Sequence, residues 1–262
     1  MDAFSSDEVA AMRISIAFLF LLPFHIRHFK INFRKFLPGL ILMGVFGNLI
    51  PAFLFTKAET KISSSLTGML NALTPLFTII IGSFWLKSKP KPMQTAGIIV
   101  GFIGAICLML FDSGQDVFQN FAYGFLVLIA TVCYALSLNG IKKYLGDLNS
   151  ITATTWAFSI TGPIALVYLF GFSSFTTHMA QSPQAMASLG YISLLAIVGS
   201  AISVILYNVL IKASGTVFAS SCTYLIPVVA ILWGVLDGET VNMAQIASMV
   251  VIILSVYLIN RD

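Results

Sequence analysis

Between residues 62 and 86, Ser64, Thr67, Asn71, Thr74 and Thr78 recur at spacings of three and four. On an α-helix that spacing places all five on one face. The residues around them are apolar, so the face carries hydroxyls and one amide but no charge. Such a stripe offers hydrogen bonds and no proton or group transfer. A second set reads the same way: Ser200, Ser203 and Tyr207 share a helical face, with Asn208 beside them. Asn48, Trp156, Ser159, Thr223 and Tyr224 add amide, indole and hydroxyl groups inside other apolar runs. Aromatic walls with a few amides suit a small zwitterionic or amphipathic solute. The rings meet its apolar part and the amides its polar ends.

The competing account is hydrogen bonding between helices, worth about 0.6–2 kcal/mol per contact in a membrane. It serves Ser and Thr well, because a helical hydroxyl also bonds its own backbone. It serves Asn71 less well, because an amide has four hydrogen-bonding positions to satisfy. The candidate cavity residues are therefore Asn48, Asn71, Thr74, Trp156, Ser200, Tyr207, Asn208, Thr223 and Tyr224. Arg13 stands a few residues into an apolar run and has two readings. It snorkels to the outer interface, or it attracts a carboxylate at the outer mouth of a site. Gly97, Gly101 and Gly104 form a small-residue face that serves packing. Trp85 and Trp233 sit near the ends of apolar runs, as interfacial anchors do.

No nucleophile–base pair, metal-ligand cluster or phosphate-binding glycine loop occurs in the sequence. The expectation is a protein without a metal or cofactor that is not an enzyme. Cys107, Cys133 and Cys222 lie inside apolar runs and behave there as small apolar residues.

The elements that must carry these residues follow from composition. The chain has 262 residues, 58% of them hydrophobic and 9% charged. A soluble domain carries about 25% charged residues, so the solvent for this chain is the bilayer. Nine segments have the length and apolarity to span it: roughly 9–28, 36–56, 62–86, 93–111, 121–141, 151–172, 186–210, 217–236 and 243–260. Helix is the form they must take, because in lipid every backbone polar group has to bond within its own segment. Barrel strands would alternate polar and apolar residues instead. The predicted fold class is all-α integral membrane, with nine transmembrane helices and no soluble domain. The first run follows the acidic stretch MDAFSSDE and no small-residue cleavage site comes after it. It reads as a spanning helix and not as a signal peptide.

The +4 net charge does not point to nucleic acid, because the basic residues sit in short gaps between apolar runs. Their distribution sets orientation. Eleven Lys and Arg residues fall in one set of alternating gaps and ends and two, Lys57 and Lys61, in the other, with Arg13 inside the first run. By the positive-inside rule the N-terminus lies outside and the C-terminus in the cytoplasm.

NALTPLFTIIIG (71–82) and TYLIPVVAILWG (223–234) place a proline seven residues before a glycine, and the two stretches are offset by 152. The same offset pairs Gly47 with Gly199, Ile50 with Ile202, Leu54 with Leu206 and Leu73 with Leu225. These matches indicate an internal duplication. The first copy covers 1–115 and holds four helices; the second covers 116–262 and holds five. By this offset the first helix of the first copy is missing, and restoring it gives ten spans. An odd number of helices per copy inverts the second copy in the membrane. Two bundles facing opposite ways can exchange shapes around a central site, which is a transporter device. Pro75 and Pro227 each remove a backbone hydrogen bond and kink a helix.

With these stretches, ISSSLTGMLNALTPLFTIIIG (62–82), ASGTVFASSCTYLIPVVAILWGVLDGE (213–239) and MQTAGIIVGFIGA (93–105), the chain resembles EamA-type members of the drug/metabolite transporter superfamily. EVAAMRISIAFLFLLPF (8–24) resembles the second helix of such proteins. The resemblance covers essentially the whole chain. It implies two five-helix repeats and export or exchange of small metabolites. It also implies residence in a bacterial plasma (inner) membrane. The family's Gly-Glu step is present as Gly238-Glu239, whereas the first copy has Leu86 and Lys87 there. The expected partners are the lipid bilayer and a small-molecule substrate, with a homodimer as the assembly considered and no nucleic acid. No Asp or Glu lies deep within a span, so no ion coupling is indicated. The expected function is a secondary transporter of amino-acid-like or amphipathic solutes, exporting them by alternating access. A non-transporting membrane subunit or truncated remnant is the alternative.

Overall fold

The computed structural model describes residues 3–27, 31–86, 92–111, 117–221, 225–236, 238 and 241–260. Among these residues the only regular secondary structure is helix. In chain order the helices are α1 (Ser6–Arg27), α2 (Phe33–Ile41), α3 (Ile50–Ala58), α4 (Ser64–Asn71), α5 (Thr74–Leu86), α6 (Pro92–Leu110) and α7 (Val117–Tyr144). They continue with α8 (Ser150–Gly171), α9 (Phe175–Gln181), α10 (Ala185–Leu194), α11 (Ser203–Ser221), α12 (Leu225–Leu236) and α13 (Met243–Asn260). Two π-helical stretches join neighbours without a break: π1 (Leu42–Leu49) between α2 and α3, and π2 (Leu195–Ile202) between α10 and α11.

Five stretches are long and apolar enough to cross a bilayer: Phe33–Ala58, Ser64–Trp85, Phe121–Tyr144, Ser150–Gly171 and Ala185–Ser214. Thr95–Leu110 and Met243–Ser255 are apolar and shorter. This is a multi-pass membrane protein.

Two departures from the sequence reading bear on the predicted site residues. A break is predicted between 210 and 217, around Lys212, but α11 runs through to Ser221. The stretch Lys-Ala-Ser-Gly holds no proline, and Ser214 Oγ donates to the Leu210 carbonyl at 2.8 Å within the helix. One interior glycine costs a helix only about 1 kcal/mol. The span 62–86 comes in two pieces, α4 and α5, separated by Ala72 and Leu73. The Ala72 and Leu73 N–H groups bond the carbonyls three residues back, Met69 at 3.2 Å and Leu70 at 3.1 Å. Pro75 is the second residue of α5, and Pro227 the third residue of α12.

The π stretches are the unusual feature. Such helix makes up well under 1% of residues in ordinary proteins. Here two eight-residue stretches begin at Leu42 and Leu195, an offset of 153. A π turn leaves carbonyls that a side chain five residues on can reach. Asn48 Nδ2 donates to the Met43 carbonyl at 2.8 Å, and Ser203 Oγ to the Val198 carbonyl at 2.6 Å.

The chain forms two compact units. The first comprises Met1–Thr56 and Gly140–Gly215, the second Lys57–Asn139 and Thr216–Asp262. In the first, α1 packs on α8 and π2, and α8 packs on π1. Its core includes Ala10, Ile14, Ala17, Leu21 and Phe158. Gly162 lets α8 come within contact of the Phe18 ring, where a Cβ would collide. In the second unit, α6 packs on α13 and α4 on α12. Gly101 and Gly104 of α6 face Ser255 and Ile252 of α13, while Gly68 of α4 faces the Ala230 methyl of α12.

Candidate functional site

In the first unit two groups of polar side chains lie along the helices that carry the predicted site residues. Arg13, the eighth residue of α1, directs its guanidinium at π2. Nε and Nη2 both donate to Ser200 Oγ, each at 3.3 Å. Ser200 is buried and Arg13 half-buried. Among the described residues no Asp or Glu lies within ion-pair distance of Arg13. Eight residues beyond Ser200, on α11, Asn208 Nδ2 donates to Thr154 Oγ1 at 3.0 Å and lies 3.8 Å from Met43 Sδ. Asn208 and Thr154 are both buried. Asn48 lies on π1 with its amide on the Met43 backbone. Trp156 packs against Phe33, with ring centroids 5.2 Å apart, and Tyr207 is half-buried on α11.

The N-terminal end of α1 is fastened separately. Ser5 and Glu8 form a capping box: the Ser5 N–H donates to Glu8 Oε2 at 2.8 Å and the Glu8 N–H to Ser5 Oγ at 3.3 Å. The same carboxylate oxygen lies 2.9 Å from His178 Nδ1 on α9. Burial pushes this carboxyl up. The Ser5 N–H, the His178 ring and the Ser5 hydroxyl outweigh that effect and hold it below its ordinary value. Phe4 stacks on Phe175 beside it, with centroids 5.7 Å apart.

In the second unit the polar stripe of α4 and α5 centres on the helix interruption. Pro75 has no N–H to give the Asn71 carbonyl, four residues back. The Thr74 hydroxyl donates to that carbonyl at 2.8 Å and lies 3.1 Å from the Asn71 amide oxygen. Thr78 bonds the Thr74 carbonyl at 2.8 Å. Asn139 of α7 donates to the Thr78 carbonyl at 3.0 Å and to its own Ala135 carbonyl at 2.9 Å. Thr67 Oγ1 is buried with no partner among the described residues.

The structure thus joins Arg13 to Ser200 and Asn71 to Thr74. It surrounds Asn208 with Thr154 and Met43. Thr223 and Tyr224 lie outside the described residues, as does the side chain of Pro227. Three residues absent from the sequence-based set hold central positions: Thr154, Asn139 and Glu8. The first two carried the same signal as the others, a polar side chain within an apolar run. Glu8 carried a stronger one, the S-x-x-E pattern at a helix start. Among the described residues no group of His, Cys, Asp and Glu could hold a metal ion.

Comparison with known proteins matches this chain to the EamA-like transporter family over residues 1–110 and 122–261. An uncharacterized transporter of Archaeoglobus fulgidus is 26% identical over 98% of this chain and 89% of its own length. The uncharacterized transporter YyaM of Bacillus subtilis is 26% identical over 97% of this chain and 84% of its own. The uncharacterized inner membrane transporter YedA of Escherichia coli is 26% identical over 96% and 78%. A crystal structure described only as that of a protein superposes with a TM-score of 0.64 at 14% identity, covering 98% of this chain and 88% of its own.

Proposed function

This chain belongs to the EamA-like transporter family, and on that premise we propose that it is a secondary transporter of small organic metabolites. The reading is a carrier, not an enzyme, working by alternating access and exporting amino-acid-like or amphipathic solutes across the plasma (inner) membrane. Nine transmembrane helices in two inverted repeats, four and five, complete it, with the N-terminus outside and the C-terminus cytoplasmic.

The observation that carries the reading is the recurrence of a rare helix form. The π stretches are offset by 153, one residue from the 152 that separates Pro75 and Pro227. A duplicated chain would place its irregular turns at matching positions. The two separate matches to one family also support duplication. Irregular backbone at membrane depth is tolerated where it is buried in protein or lines a water-filled cavity, and π turns occur often at functional sites. The lipid-grade apolarity of the rest leaves the uncharged polar residues to bind solute.

The test is counterflow in proteoliposomes made with the purified chain, using labelled amino acids. Saturable uptake that Asn71→Leu abolishes, with folded protein retained, supports the reading. Absence of saturable flux under any imposed gradient, together with co-purification of a fixed partner, favours a non-transporting subunit.

A further inference from the structure

We propose that Arg13 and Ser200 form a carboxylate-binding subsite within the first unit, so that the transported solute carries a carboxylate. The proposal rests on the transporter reading and names a substrate class for it.

A guanidinium stays charged under all ordinary conditions. Inside a membrane protein such a charge pairs with an acid, reaches an interface or faces an aqueous path. Arg13 lies about 10 Å along α1 from its first residue, by the helical rise. Its hydrogen-bond partner, Ser200 Oγ, is not a carboxylate. α1 packs on α8 and π2, and neither contains an acidic residue. Within α1, Glu8 is held by Ser5 and His178, and Asp7, six residues before Arg13, accepts from the Ser6 hydroxyl at 3.4 Å and makes no ion pair with Arg13. Among the described residues, the charge of Arg13 is therefore met by one neutral hydroxyl.

That hydroxyl does not saturate the fork. Guanidinium has five N–H donors, and two of them converge on a single oxygen, at 3.3 Å each. Charge-assisted bonds from a guanidinium to a carboxylate are about 2.7–2.9 Å. The Ser200 contact holds the side chain in place without neutralising it. A carboxylate would accept from the remaining N–H groups, two on Nη1 and one on Nη2, in the bidentate manner that suits a guanidinium. The Ser200 hydroxyl, bonded to Nε and Nη2, orients the fork. Its position on π2 gives the subsite a backbone with irregular, wider turns. An amide or ester in place of the carboxylate would lose the ion pair and would bind weakly.

The experiment asks whether Arg13 is reached by carboxylates in the folded protein. The variant R27K/R34K/R261K leaves Arg13 as the one arginine of the chain. The purified full-length variant is treated with phenylglyoxal, and modification of Arg13 is followed by peptide mass spectrometry. The probes are L-phenylalanine, L-leucine and phenylacetate, each against its amide, with inorganic phosphate as a further anion. The expected result is saturable protection by at least one carboxylate and none by its amide. At ten times the half-protecting concentration the rate falls about tenfold. Ser200→Ala raises the half-protecting concentration while Arg13 remains modifiable. The proposal is overturned if Arg13 resists modification in the folded protein, if no carboxylate protects better than its amide, or if phosphate alone protects. Flux of each labelled carboxylate by the same variant in proteoliposomes separates the two readings. Flux without protection defeats the subsite alone; protection by a carboxylate that the protein does not move under any imposed gradient defeats the transporter reading and leaves a carboxylate site.

Discussion

The hydroxyl of Thr74 donates at 2.8 Å to the backbone carbonyl of Asn71, the acceptor that Pro75 leaves without its helical partner. Proline opens the helix and the residue beside it closes the resulting deficit. Thr74→Val keeps the shape and removes the donor. A fully buried carbonyl left unpaired costs about 1–3 kcal/mol; Asn71 is half-buried, so unfolding of the purified protein should shift by no more than that amount. Pro75→Ala restores an N–H four residues from Asn71. In the Pro75→Ala background the loss from Thr74→Val should therefore shrink. Equal losses in both backgrounds would mean that Thr74 acts elsewhere.

Packing of α4 on α12 yields a second prediction. A Cβ at Gly68 would collide with the Ala230 methyl, and Ser65 Oγ lies 3.4 Å from the Ala230 carbonyl on the same interface. Gly68→Ala should destabilise by about 1–3 kcal/mol, the range for overpacking. Ala230→Gly removes the methyl that clashes. The double variant should recover most of the loss in thermal unfolding, and failure of that rescue would place the strain in another contact.

The helical class and the five long apolar stretches are legible in composition alone, because lipid permits little else to a chain this apolar. The interruption before Pro75 also has a visible local cause. The continuation of α11 past Lys212 does not. A polar residue within a gap and a polar residue on a helix look alike when only apolar runs are counted. The π stretches leave no trace in the pattern, since a helix apolar on most sides shows no change of period when its turns widen. The site is legible one residue at a time. Arg13 and Ser200 each stand out singly, but 187 positions separate them, and no local pattern says that α1 lies against π2. Asn208 stands out as an amide in an apolar run, while its partner Thr154 resembles the other hydroxyls of α8.

Asn208 and Thr154 supply the third prediction. Their 3.0 Å bond is buried on both sides. Hydrogen bonds between helices in membranes contribute about 0.6–2 kcal/mol. A double-mutant cycle with Asn208→Leu and Thr154→Val should return a coupling in that range. A coupling near zero would show that Asn208 draws its stability from Met43 and the packing around it.

Glu8 makes the last prediction, and its sign follows from linkage. The folded state holds this carboxyl below its ordinary value, against the opposing effect of burial. The unfolded chain therefore takes up the proton first as pH falls. The stabilisation is present above the ordinary glutamate range, near about 4.3, and is lost as pH falls through the lowered folded value. Glu8→Gln cannot ionise, so it should be less stable than the parent at pH 7 and should close that gap as pH approaches 3. Unfolding midpoints of both proteins between pH 7 and 3 check this. A gap that stays constant would assign the effect of Glu8 to the shape of its capping box, since glutamine also caps. A gap that narrows on acidification would assign it to the charge shared by Ser5 and His178 at the head of α1.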